Sequence, residues 1–280
     1  MNIRFDRLAT LYVTSPLRRI ASAKCKAIPI LMYHSISDED QADLHPYFRT
    51  TTSSAEFFAQ MEYLHKNKYE VCSPAEAAAA LTHSSLLSAK KVVITFDDGY
   101  RDFYREAFPI LSQFKFTASV FLPTSYIGHS PIKFKGRECL TWSEVRELQR
   151  YGIIFGSHTV THPQLYELDR EAVNEEVTIS KATIEEKTGQ AVEAFCYPYA
   201  FPQSASHFKN MLRELLRQAG YRQGLSTMIG RADGLSDPLF MERLPVNGCD
   251  DSALFSAKLL GAYDWLAKPQ RLTQLLKSVK

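Results

Sequence analysis

Asp97 and Asp98 stand side by side, directly after the apolar run 92–96 and ahead of Gly99, which admits a sharp turn. Two ionised carboxylates this close repel, so the pair calls for a cation or a shared proton. Read alone, the same two residues also suit an N-cap pair for a helix starting near Tyr100. After a second apolar stretch at 153–155, the run Gly156-Ser157-His158-Thr159-Val160-Thr161-His162-Pro163 sets two histidines four residues apart. At that spacing both imidazoles can face one ion, from a helical turn or from a compact loop. Asp98, His158 and His162 together make a two-histidine, one-carboxylate set. Such a set holds a divalent metal and leaves positions open for water and substrate, which is a catalytic rather than a structural layout. A third segment, Phe195-Cys196-Tyr197-Pro198-Tyr199, reads on its own as core and turn.

Residues this far apart in sequence need a scaffold that brings strand ends together. Short apolar runs at 28–33, 69–72, 92–96, 117–122, 153–155, 193–196, 223–226 and 241–244 read as strands. Helical patterns lie between them. Ser53-x-x-Glu56, Ser73-Pro74-x-Glu76 and Thr141-x-x-Glu144 are capping boxes, and Phe57, Phe58, Met61 and Leu64 behind the first form an apolar face. A long charged helix from 169 to 187 is closed by Gly189, and another over 205–218 by Gly220. Strands alternating with helices predict an α/β fold: a single-domain, distorted (β/α) barrel of seven to eight parallel strands, with functional residues at its carboxyl face. An open doubly wound sheet is the competing architecture, but no G-x-G-x-x-G follows any strand. The expected organisation is an N-terminal extension over 1–27, a catalytic barrel over 28–251 and a helical tail over 252–280.

The 280 residues, 45% apolar and 23% charged, describe a globular chain and exclude disorder. A net charge of +2 is too balanced for nucleic-acid binding or for wholesale attraction to anionic membranes. No apolar run approaches the ~18 residues of a membrane span. The stretch 8–17 is interrupted by Thr10, Thr14 and Ser15 and lacks a cleavage site, so it does not read as a signal peptide. The five cysteines (25, 72, 139, 196 and 249) include no C-x-x-C pair and fit free thiols in a reducing compartment. A cytoplasmic location is the expectation; oligomeric state is left open.

Taken in order, these segments resemble the polysaccharide deacetylase (NodB-homology) family of metal-dependent carbohydrate esterases. Thr95-Phe96-Asp97-Asp98-Gly99 resembles the family's first motif, His158-x-x-x-His162 its second, and Pro198-Tyr199 the end of its third. Met32-Tyr33-His34-Ser35-Ile36 and Leu140-Thr141-Trp142 are similar to the branch that deacetylates bacterial exopolysaccharides, including poly-N-acetylglucosamine. The resemblance spans roughly residues 28–246. It implies a distorted barrel, often of seven strands, and a divalent metal on Asp98, His158 and His162, zinc first, with cobalt or nickel as alternatives. It further implies Asp97 as the general base, the Tyr199 backbone N–H as an oxyanion donor, and an N-acetylated glycan as substrate. Other implied readings are hydrolysis of a different non-peptide amide, as in allantoinase-like relatives, and a catalytically silent glycan-binding module.

Two departures from the family pattern stand out. Cys196 occupies the third motif's arginine position, so nothing there is expected to pair with Asp97; Arg243 could supply that charge or be an ordinary structural arginine. No histidine follows His207 to act as the late general acid, and Asp264-Trp265 lacks the leading aspartate of the family's Asp-x-x-Asp-Trp motif. For the leaving-group proton, Asp97 is chemically sufficient. His34, at the end of the first strand, is then expected to line the site and position substrate.

Overall fold

The computed structural model describes residues 4–17, 26–39, 41, 44–46, 49–83, 90–200 and 205–278, with side chains through residue 273. Seven parallel strands close into a ring: β1 (Ile30–Tyr33), β3 (Lys90–Phe96), β4 (Ser119–Leu122), β5 (Ile154–Ser157), β6 (Ala194–Cys196), β7 (Gln223–Ile229) and β8 (Met241–Pro245). Closure comes from pairing of β1 with β8 on one side, Leu31 opposite Leu244, and with β3 on the other, Tyr33 opposite Phe96. The eighth expected strand, β2 (Tyr69–Val71), is present but lies outside the ring, parallel to the start of β3. The barrel is distorted where the register shifts between β7 and β8. Pro29, which has no N–H to give, breaks the first expected strand in two, and residues 27–28 pair antiparallel with 232–233 instead.

The capping boxes at Ser53, Ser73 and Thr141 form as read and open α2 (Ser54–Lys66), α3 (Pro74–Thr82) and α5 (Trp142–Arg150). Asp169 caps α6 (Arg170–Thr188), which stops at a left-handed Gly189. Around these lie α1 (Phe5–Ala9, continued by a π turn over Thr10–Thr14), α4 (Phe108–Phe114), α7 (Ser206–Gln218), α8 (Ser252–Leu259) and α9 (Ala267–Ser278). Two details differ from the sequence reading. Phe58 is partly exposed, and Gln60 takes the inward position on α2, where it accepts a hydrogen bond from the Tyr33 hydroxyl. Lys258 is buried on α8 and paired with Asp250 rather than solvated. Among the described residues no helix is long and apolar enough to cross a membrane. Cys72, Cys139, Cys196 and Cys249 are free thiols; Cys25 lies outside the described residues.

Side chains alternate across each strand, and the two faces build two cores. Leu31, Tyr33, Val92, Ile94, Phe96, Val120, Leu122 and Phe195 belong to the core packed under the helices. Ile30, Val93, Phe121, Ala194, Cys196, Leu225 and Met241 form a second cluster within the ring, which Ala77 and Ala80 of α3 adjoin. Gly156 is needed here, because a Cβ would meet the Phe121 ring at 2.4 Å. Continuing the interior parity toward the carboxyl ends gives Thr95 and Asp97 after Val93, Arg243 after Met241, and His158 after Gly156. The same two-residue period that fills the barrel delivers polar groups to one end of it.

Candidate active site

Asp97 and Asp98 follow β3 immediately, and neither caps a helix: the next helical turn begins at Phe103 without a side-chain cap. Asp98 has φ 68° and Gly99 φ 59°, so the chain reverses through two left-handed residues. At Gly99 a Cβ would lie 2.9 Å from the Leu122 side chain. The two histidines converge from a loop, not from a helical turn. Thr159 (φ 70°) and His162 (φ 60°) are also left-handed, conformations that cost non-glycine residues of order 1–3 kcal/mol each. Surrounding hydrogen bonds hold them there. Glu176 of α6 accepts from the N–H of Val160 (2.7 Å) and Thr161 (2.9 Å) and from the Thr161 hydroxyl (2.6 Å). The Thr159 hydroxyl accepts from the His162 N–H, and the carbonyls of Thr159 and Val160 accept from Thr124 and Ser125.

Asp98, His158 and His162 meet in one buried place. Asp98 Oδ1 lies 3.1 Å from His162 Nε2 and 3.5 Å from His158 Nε2. His158 Nδ1 is 2.8 Å from the Cys196 carbonyl; donating its proton there leaves Nε2 as a bare lone pair toward Asp98. Asp98 Oδ1 is buried and has no hydrogen-bond donor, although two imidazole nitrogens face it. A carboxylate oxygen and two imidazole nitrogens converging on one point fit a divalent cation. Asp97, His158 and Cys196 also lie within mutual reach, but Asp97 is committed elsewhere and burial pushes the Cys196 thiol up, away from the ligating thiolate. Burial opposes charge on Asp98, yet His158 and His162 hold it well below the usual carboxylate range.

Arg243 is fully buried in β8, and its guanidinium takes Asp97 in a two-pronged pair, 2.7 Å to Oδ1 and 2.8 Å to Oδ2. The same group donates to the Ser226 carbonyl of β7 and the Thr95 hydroxyl of β3, so its direction is fixed from both strands. The expectation that nothing at position 196 contacts Asp97 is corrected: the Cys196 thiol donates to Asp97 Oδ1 at 3.4 Å. Burial alone would raise the Asp97 pKa, but Arg243 overrides it and holds the carboxyl at about 2. His34 lies at the rim, 22% exposed, with Nε2 4.0 Å from Asp97 Oδ2. Burial lowers its pKa. Tyr199 is left-handed (φ 58°), stacks its ring edge-on against His162 at 4.7 Å and, among the described residues, gives its N–H to no acceptor. His207 is exposed at the start of α7, and Asp264 pairs with Arg231, both apart from this cluster.

Two residues at the site escaped the sequence reading. Glu176 is one; it looks like any helix-surface glutamate until its loop partners are seen. Lys135 is the other, at the tip of a hairpin (133–134 paired with 137–138) whose turn residues Lys135 and Gly136 have φ 49° and 84°. Its Nζ lies 3.7 Å from Asp98 Oδ2 and over the Phe134 and Tyr199 rings. The readable signal was the Lys-Gly turn, since glycine after a polar residue favours the left-handed backbone of a tight hairpin.

Comparison with known proteins places this geometry among relatives. The polysaccharide deacetylase family profile matches residues 86–224. YxkH of Bacillus subtilis (strain 168), a polysaccharide deacetylase by name, is 30% identical over 238 residues, 85% of this chain and 78% of that protein. The poly-β-1,6-N-acetyl-D-glucosamine N-deacetylase of Escherichia coli (strain K12) is 35% identical over 140 residues, 46% of this chain and 20% of that protein. Among solved structures, the Streptococcus pyogenes deacetylase PplD in complex with acetate superposes with a TM-score of 0.71 at 25% identity, covering 83% of this chain and 98% of that one.

Proposed function

The chain belongs to the polysaccharide deacetylase family, and from that premise we propose that it hydrolyses the N-acetyl groups of sugars in a bacterial exopolysaccharide or its precursor. The observation that carries the reading is the pairing of a cation-shaped ligand set with a separately held carboxylate next to it: Asp98, His158 and His162 on one side, Asp97 on Arg243 on the other. Asp98, His158 and His162 would hold the ion, zinc first, with cobalt or nickel as alternatives. When bound, such an ion polarises an amide carbonyl and lowers the pKa of a water from 15.7 toward about 7.

Asp97 is the base. Its Oδ1 already accepts from Arg243 and Cys196, which leaves the free lone pair of Oδ2 for the attacking water's proton. That oxygen is the one nearest His34. We therefore assign delivery of the leaving amine's proton to His34, beyond the positioning role expected from sequence. Collapse then breaks the C–N bond, with acetate and the protonated amine as products. The Tyr199 N–H is assigned to the developing oxyanion, a contribution of several kcal/mol in comparable sites.

An acetylated glycan is supported by the named substrate of the Escherichia coli relative and by the acetate bound to the Streptococcus protein. With a cytoplasmic location, proposed from the cysteines, the substrate is a soluble or lipid-linked precursor. The test is acetate release from β-1,6-linked N-acetylglucosamine oligomers, run beside allantoin. Acetate from the oligomers alone is expected. Turnover of allantoin alone would move the reading to another amide, and glycan binding without acetate would make the protein a binding module.

A further inference from the structure

The first helical segment is docked inside out. Its polar side chains face the protein: the Asp6 carboxylate accepts from the Tyr263 hydroxyl (2.7 Å), the Thr10 hydroxyl from Trp265 Nε1 (3.0 Å), and Arg7 donates to Asp251 (2.9 Å). Arg4 reaches the Cys249 carbonyl and Asp250. Thr10 is fully buried. The apolar side chains face outward: Phe5 is 75% exposed, Tyr12 71%, Leu17 59% and Val13 55%, with Leu8 beside them. Positions 5, 8, 12 and 13 recur at helical spacing, so these are one stripe and not scattered residues. A helix held by its polar face, with that stripe turned to solvent, is arranged for something outside the fold.

We infer that this stripe is a membrane-docking surface, and that it seats the protein on an anionic phospholipid bilayer without crossing it. Charge selects this occupant. Trp265, which anchors Thr10, leads directly into α9, where Lys268, Arg271 and Leu272 are exposed. Beyond the buried Lys258 the sequence carries four basic residues and a single acid, Asp264, and the apolar stripe itself runs into Arg18-Arg19 in sequence. Apolar and aromatic side chains bordered by lysine and arginine suit the headgroup region, where burial and attraction to anionic lipid act together. A second copy of the chain is the poorer occupant, because a two-fold contact would set the basic flank against its own image.

The experiment is sedimentation of the full chain with phosphatidylcholine–phosphatidylglycerol vesicles, and with phosphatidylcholine alone. The variant is Leu8→Gln/Tyr12→Gln/Leu17→Gln, its fold checked by circular dichroism; none of the three touches the candidate site. Binding to the mixed vesicles, weakened by salt and by omission of phosphatidylglycerol, is expected, with the variant at least about tenfold weaker. If the variant is misfolded, Lys268→Gln/Arg271→Gln serves instead and should lose binding to the mixed vesicles in part. Absence of binding, binding unchanged in a folded variant, or a wild-type dimer that the variant converts to monomer would each overturn the inference.

Discussion

Asp97 and Asp98 are neighbours in sequence with different surroundings, and the difference divides the work between them. Asp98 faces two imidazoles, whereas Asp97 faces a guanidinium that β3 and β7 hold in place. Asp97→Asn should keep its metal and lose about 10²–10⁴-fold in kcat, since an amide cannot take the water's proton; metal content and turnover measured on one preparation check both halves. Arg243→Met leaves a buried carboxylate unpaired, which costs about 3–5 kcal/mol. The sign follows from the depressed pKa: with about 2 folded against 3.8 unfolded, this pair's stabilisation is complete above 3.8 and lost as pH falls through 2. Denaturant unfolding of the variant should therefore show its full deficit at neutral pH and a narrowing gap below about pH 4. For His34→Ala, kcat should drop by about 10²-fold or more with the alkaline limb of the pH–rate profile removed. A moderate loss with the limb intact would return the proton to Asp97 and leave His34 to position substrate.

The period-two alternation of the strands decides which residues reach the site, and the loops decide where they stop. The strand positions were legible because apolar runs bounded by turns carry that period: all eight expected strands exist, and Asp97, Asp98, His158 and His162 sit at or just beyond strand ends. Long-range partnership was legible only as an alternative: Arg243 could supply the charge beside Asp97 or be an ordinary structural arginine, and in the fold it pairs with Asp97. Arg243 and Asp97 are 146 residues apart, and only ring closure brings their strands within reach. The Cys196 thiol was read as a missing arginine because a residue type says nothing of the atom it will touch. Glu176 was invisible for the same reason. Its three hydrogen bonds hold the histidine loop against its left-handed conformations, so Glu176→Ala should weaken metal affinity about 10–100-fold. At saturating metal kcat should recover; calorimetric titration with zinc alongside kinetics separates this from a direct role in turnover.

At the scale of the molecule, seven parallel strands close into one barrel, and the groups gathered at its carboxyl end come from six of them or from the connections that follow: β1, β3, β4, β5, β6 and β8. No single segment holds a site. We propose that Asp98, His158 and His162 bind one divalent ion on which deacetylation depends. It is tested most directly by stripping the protein with a chelator, titrating zinc or cobalt back, and following bound metal and acetate release from N-acetylglucosamine oligomers together, for the wild type and His158→Ala. Activity should vanish on stripping and return in proportion to metal up to one ion per chain, while the variant should bind little and stay inactive. Acetate release that persists in the stripped protein, or undiminished metal stoichiometry in His158→Ala, would contradict it.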